Sequence, residues 1–182
     1  MSADVIFGIL LAGVLSNNYA LLHFLGTGAV IENERSSKKS LLLGLMITLV
    51  IVVSTAITWP IQTYLLTRVP YLQNVVVVAV VLLVVEGLHL LTRKRVDVFC
   101  KVDFVKFAIN GAVMGLCIHN TALSYPEALV TALAVGLGLM VTMTVFAKLQ
   151  GRIDMEAVPP SFRGLPISLL CAGMMALALL AF

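Results

Sequence analysis

The residues able to do chemistry in this chain are few, and most stand inside apolar runs. Glu86 is the only acidic residue within such a run. His89 and Arg93 follow it at i+3 and i+7, so the three share one helical face. An ionisable residue in a membrane span is a functional candidate by default. Two readings stay open: Glu86 and His89 as a protonatable pair beside an ion path, or a polar edge near the interface, since Arg93 lies only ~10 Å further along the helix. His23 and His119 have no second ligand at helical spacing and read as interfacial or packing residues. Cys100, Cys117 and Cys171 form no CxxC pair, so neither zinc nor a self-contained iron–sulfur site is signalled and no metal ligand is assigned. Phosphate-cradling and nucleophile-elbow motifs are missing, and no catalytic residue is expected.

Three asparagines carry a different signal. Asn17 and Asn18 lie in SNNYALLHFLGTG, residues 16–28, where the first apolar run should be crossing a membrane. Asn110 interrupts the fourth run in the same way, followed at once by Gly111. Amide side chains in hydrocarbon are costly unless they are satisfied. They are at home where a helix stops in mid-membrane, because Asn offers both donors and an acceptor to orphaned backbone groups. Gly26, Gly28 and Gly111 would let the backbone turn there. The simpler reading is that the asparagines bridge neighbouring helices.

These residues must be positioned by membrane helices. The 182 residues are 60% hydrophobic and 12% charged, with mean hydropathy +1.07. A soluble domain carries roughly twice that charged fraction. Residues 1–4 supply no basic n-region, so the first apolar run is expected to be a retained span. Six apolar segments follow one another: Val5–Leu25, Leu41–Thr58, Val75–Leu91, Phe104–Ile118, Ala128–Ala147 and Leu165–Phe182. The expected fold is all-α and integral to the membrane, a single domain over 1–182 with six transmembrane helices, of which helices 1 and 4 are interrupted. Of the twelve Lys and Arg, all but Arg68 are placed on the side of the loops after spans 1, 3 and 5. The positive-inside rule makes those loops cytoplasmic and leaves both termini outside. The basic loops are short and follow this rule, so no nucleic-acid role is expected.

The two halves resemble each other. Asn18-Tyr-Ala-Leu-Leu and Asn110-Gly-Ala-Val-Met share N-x-A-[LV]-[LM], 92 residues apart. Each half, about 1–92 and 93–182, has three spans and opens on an interrupted one. Three is odd, so the second half enters the membrane from the opposite side, as in an inverted repeat. Paired interrupted segments of that kind point to a site near the bilayer midplane. Gly136, Gly138 and Gly173 in spans 5 and 6 suggest close helix packing.

One further segment is specific. AVPPSFRGLPISLLCAGMMALA, residues 157–178, resembles the last-helix signature of the Rnf/Nqr membrane-subunit family through Val158, Pro159, Phe162, Gly164, Ile167, Ala172, Gly173, Met174, Leu177 and Ala178. NNYALLHFLGTG resembles that family's N-N-x-x-L-x-x-F-L-G-x-C, and INGAVMG its T-N-C-A-V-L-G. The resemblance covers essentially the whole chain and is closest to the A-type subunits of the Rnf complex. It implies a membrane subunit of an ion-translocating electron-transfer complex in a bacterial or archaeal cytoplasmic membrane. The implied partners are a homologous six-span subunit of opposite topology and further subunits carrying flavin and iron–sulfur centres. It also implies a 2Fe–2S cluster shared between the two six-span subunits, each giving two cysteines.

At both cluster positions this chain departs from the family: Gly28 and Gly111 stand where the cysteines belong. Glycine has no side chain with which to ligate, and Cys117 lies six residues, about 9 Å of helix, past Gly111. The expectation is therefore that this chain holds no cofactor in the family's usual way. The alternative is a small six-span transporter or substrate-binding membrane component that reuses the scaffold without electrons.

Overall fold

The computed structural model describes residues 3–14, 37–65, 69–93, 111–154, 156 and 158–179. Among them are six α-helices and no strand: α1 (Ala3–Val14), α2 (Ser37–Pro60), α3 (Gln73–Arg93), α4 (Gly111–His119), α5 (Tyr125–Arg152) and α6 (Leu165–Leu179). Each overlaps one of the six apolar segments read from the sequence. Three stretches are long and apolar enough to cross a membrane: Ser40–Tyr64, Gln73–Leu90 and Tyr125–Arg152. Shorter apolar helices occupy Asp4–Gly13 and Leu165–Ala178.

The second span runs further than its apolar segment. That segment ends at Thr58, before Trp59-Pro60, but the α-helix includes Pro60 and continues as a π-turn over Ile61–Leu65. Proline removes one donor from the i→i−4 ladder, and the wider turn that follows re-forms the ladder around that loss. The third helix of each half is preceded by a short 3₁₀ turn that opens on proline, Pro70–Leu72 before α3 and Pro160–Phe162 before α6. Gly164 then takes a φ of +86°, open to glycine at little cost. The Arg163 guanidinium holds this bend by donating to the carbonyls of Val158 (2.8 Å) and Glu156 (3.3 Å). At the start of α5, Glu127 accepts the Ser124 backbone N–H (3.2 Å), with Pro126 in the first turn where its missing donor costs nothing.

The core is built on α2 and α5, with α3 and α4 against α2, and α1 against α5. Ile47, Val50 and Ile51 of α2 meet Val77, Val81 and Val85 of α3, Val113 and Leu116 of α4, and Leu139, Met143 and Phe146 of α5. Between apolar helices in lipid the gain is close packing rather than escape from water, so small residues decide how near the backbones come. Four hydroxyls are satisfied by backbone one turn earlier in the chain. Thr48, Thr58, Thr144 and Ser168 each donate to the carbonyl four residues back, at 2.7–3.0 Å.

Candidate functional site

Two features converge on α2. The first is its crossing with α5. A Cβ on Gly136 would lie 2.5 Å from Thr48 Cγ2 and 3.0 Å from Thr48 Cα. A Cβ on Gly44 would lie 2.7 Å from both Cα and Cγ of Met140. The helices are antiparallel here, since 44 faces 140 and 48 faces 136. These pairs exchange under a shift of 92 residues: Gly44 plus 92 is Gly136, and Thr48 plus 92 is Met140. Gly13 makes a third close approach, with its Cβ direction 2.7 Å from Ala134 Cβ, and sets α1 against α5. The expected close packing thus occurs at Gly136, and Gly138 beside it is buried. At Gly173 it does not: no atom comes within 4 Å of a Cβ there.

The second feature is a polar seam along α2. Ser54, Thr58 and Gln62 follow at spacings of four and are buried, with Thr55 beside them. Thr55 Oγ1 lies 3.9 Å from Cys117 Sγ on α4, and Trp59 Nε1 donates to the Leu123 carbonyl at 2.9 Å. Rising numbers on α2 meet rising numbers beyond α4, so α2 and α4 run parallel. Asn120, in the turn after α4, donates through Nδ2 to the Ala128 carbonyl at 3.2 Å. Ser54 Oγ, both polar atoms of Gln62, and Asn120 Oδ1 are buried without a partner among the described residues. Thr58 spends its proton on the Ser54 carbonyl, and Asn120 one of its amide protons on Ala128. The seam therefore offers both donors, at the Ser54 hydroxyl and the Gln62 amide, and acceptors, at Gln62 Oε1 and Asn120 Oδ1, a set that suits water. None of these residues was singled out from the sequence. The available signal was polar residues at i, i+4 and i+8 in an apolar helix, the same kind of signal that marks Glu86.

The residues singled out from the sequence are not gathered in one place. Asn17, Asn18, Gly28 and Asn110 lie outside the described residues. Gly111 is the first residue of α4 and exposed, whereas Cys117 is buried against α2. Glu86 is exposed and His89 half-buried on α3, whose opposite face (Val77, Val81, Val85) forms the core. His119 is exposed at the end of α4. Among the described residues, no three of His, Cys, Asp or Glu come together as a metal site. A cluster shared between two chains needs thiolates at the surface where they meet. Gly111 is exposed but has no thiol, and Cys117 has a thiol but faces inward, so the described residues do not fit such a group.

The family described as "Rnf-Nqr subunit, membrane protein" matches residues 6–182. Among curated relatives, the A-type subunit of the ion-translocating oxidoreductase complex from Syntrophotalea carbinolica is 33% identical, over 96% of this chain and 94% of the relative. The A-type subunit of the Na(+)-translocating ferredoxin:NAD(+) oxidoreductase complex from Acetobacterium woodii is 26% identical over the same shares. The A-type subunit of the ion-translocating oxidoreductase complex from Escherichia coli is 27% identical, over 93% of this chain and 91% of the relative.

Proposed function

We propose, for a chain that belongs to the Rnf-Nqr family of membrane subunits, the role of an A-type membrane subunit in an ion-translocating electron-transfer complex, without the family's usual intramembrane 2Fe–2S cluster on this chain. The match over residues 6–182 carries the first part of this reading. Gly111 in place of a thiolate, with Cys117 turned toward Thr55, supports the second.

The architecture is six spans in two inverted halves. In its favour, the Gly44–Met140 and Gly136–Thr48 approaches exchange under a shift of 92 residues, with α2 and α5 antiparallel. Equivalent helices that run antiparallel are what inversion requires. The orientation has the basic loops in the cytoplasm and both termini outside. At the end of the molecule away from the basic loops, Trp59 has Tyr64 edge-on and Tyr125 tilted against it, with ring centroids 6.5 and 5.1 Å away, as a membrane-interface belt would. Asn17, Asn18 and Asn110 act as caps of helices broken in mid-membrane. Glu86 and His89 are the candidates to line an ion path, at the edge of the chain on a face of α3 that points away from the core. The partners are a homologous six-span subunit of opposite topology and the flavin and iron–sulfur subunits of the complex.

The test is purification of the tagged chain with its neighbours, followed by iron analysis and electron paramagnetic resonance of the reduced complex. Co-purification of a second six-span homologue is expected, with no 2Fe–2S signal that depends on this chain. A 2Fe–2S signal abolished by Cys117→Ser would overturn the cluster-free assignment. Isolation of a lone chain with a bound small molecule would overturn the complex itself.

A further inference from the structure

The polar seam of α2 leaves hydrogen bonds unmade. Ser54 is 0%, Asn120 1% and Gln62 5% exposed. Ser54 Oγ, both polar atoms of Gln62 and Asn120 Oδ1 have no partner among the described residues. A helical serine can bond the carbonyl one turn back, as Thr48 and Thr58 do, but Ser54 does not. Gln62 is carried inward by the π-turn Ile61–Leu65, a widening of the helix that recurs at functional sites. A buried polar group left unpaired loses more than a made hydrogen bond gains, and here such groups recur along one seam.

The chain itself already covers these atoms, so an acyl chain or a side chain of another subunit does not reach them. A bare cation is a poor fit, because Ser, Thr, Gln and Asn carry no charge to offset its own. Water offers both a donor and an acceptor, and buried water is held by otherwise unsatisfied groups of this kind. One molecule is too few. Gln62 stands eight residues past Ser54, about 12 Å of helix, whereas a water reaches only about 3 Å to each partner. Asn120 falls between the two. Thr55 is level with Cys117 and Trp59 with Leu123, and Asn120 is midway from Cys117 to Leu123. Thr58, whose proton is on the Ser54 carbonyl, still has a lone pair to accept from water. We infer that the seam is an internal hydration site, a file of water molecules along α2 from Gln62 past Asn120 to Ser54. The file begins near the Trp59 end and reaches the depth of Cys117, and it needs no partner subunit to form.

Cys117 and Met143 provide the test. Both are buried, at 1% and 0% exposure, and both carry a readily oxidised sulfur. Cys117 Sγ lies 3.9 Å from Thr55 Oγ1 in the seam, whereas Met143 belongs to the apolar core. X-ray radiolysis makes hydroxyl radicals from water wherever water is, and they attack what lies beside them. Peroxide photolysis makes them only in bulk solvent. The detergent-solubilised complex is exposed to each, and oxidation is read by mass spectrometry relative to the same residue in the unfolded protein. X-rays should oxidise Cys117 several-fold faster than Met143, while bulk radicals should spare both. If X-rays spare Cys117 as they spare Met143, the seam is dry and the site is refuted. If bulk radicals also oxidise Cys117, the seam is an open cleft and the internal site is refuted. Ser54→Ala with Gln62→Leu should bring X-ray oxidation of Cys117 down to the level of Met143, and an unchanged rate would refute the seam as its source. Where that pair does not fold, the comparison of the two radical sources on the unaltered protein decides alone.

Discussion

The α2–α5 crossing can be tested with three alanines. In Gly136→Ala the new methyl meets Thr48 at Cγ2 (2.5 Å), Cβ and Cα (each 3.0 Å). Thr48 cannot simply rotate away, because its hydroxyl is held on the Gly44 carbonyl at 2.8 Å, and its Cα is backbone. The helices must therefore move apart by several tenths of an ångström. Overpacking of this kind costs about 1–3 kcal/mol, against about 1 kcal/mol gained from replacing glycine in a helix, so the net change is roughly 0–2 kcal/mol destabilising. Gly44→Ala should fall at the upper end, because its methyl meets the Met140 backbone at 2.7 Å. Gly87→Ala is the control: nothing lies within 4 Å, and only the helix gain of up to about 1 kcal/mol remains. One separation of α2 from α5 relieves both clashes, so the Gly44→Ala/Gly136→Ala double variant should cost less than the sum of the singles, by about 0.5 kcal/mol or more. The assay is the thermal midpoint of the detergent-solubilised protein, read by the loss of its monodisperse size-exclusion peak. If Gly136→Ala and Gly44→Ala melt at or above Gly87→Ala, the close approach is wrong. Strict additivity in the double variant would refute the shared crossing.

Three other substitutions probe separate joints. Gln150 Nε2 donates to Ser168 Oγ at 2.8 Å and pins α6 to α5, so Gln150→Leu should cost about 0.6–1.7 kcal/mol and raise protease access to α6, seen by limited proteolysis. Trp59→Phe keeps the aromatic packing but strands the Leu123 carbonyl, a loss of about 0.5–1.5 kcal/mol readable in the same size-exclusion melt. Arg163→Ala removes donors from two exposed carbonyls, so stability should change by no more than about 0.5 kcal/mol while the bend between α5 and α6 is cut faster by added protease.

The helices are legible in the sequence and their contacts are not. Length and hydropathy mark where a span lies, and the middle helix of each half matches its apolar segment to within a few residues at most ends. A glycine in an apolar run says that a neighbour could come close, but not whether one does. Gly136 meets Thr48, while Gly173 faces open space. Gly44 is inconspicuous among leucines, although the 92-residue offset from Gly136 is available to find it. The polar seam escapes notice for another reason. Serine and threonine in membrane helices usually bond their own backbone, as Thr48 and Thr58 do, so they draw no attention. Pro60 reads as a terminator and puts Gln62 outside the span, and the π-turn that carries Gln62 inward has no sequence signature of its own.

The placement of small and polar residues restricts where an ion could move through this chain. The α2–α5 crossing is closed by glycine contacts tighter than a methyl group, and its flanking residues Ile47, Val50, Leu139 and Met143 are apolar and buried. A hydrated ion has no route along that axis, because hydrocarbon-like walls replace none of its ligands. Buried polar groups instead line one side of α2, at Ser54, Thr58 and Gln62, with Asn120 from the turn after α4, toward the end marked by Trp59. The single carboxylate within the apolar stretch of α3, Glu86, lies toward the end of the molecule that carries the basic loops. Polar groups on one side of the core and a charge on an outer face do not make a continuous path among the described residues. A path that uses both has to be completed by groups from elsewhere. For a protein whose relatives are named as subunits of a complex, a neighbouring chain of that complex is the economical source of those groups.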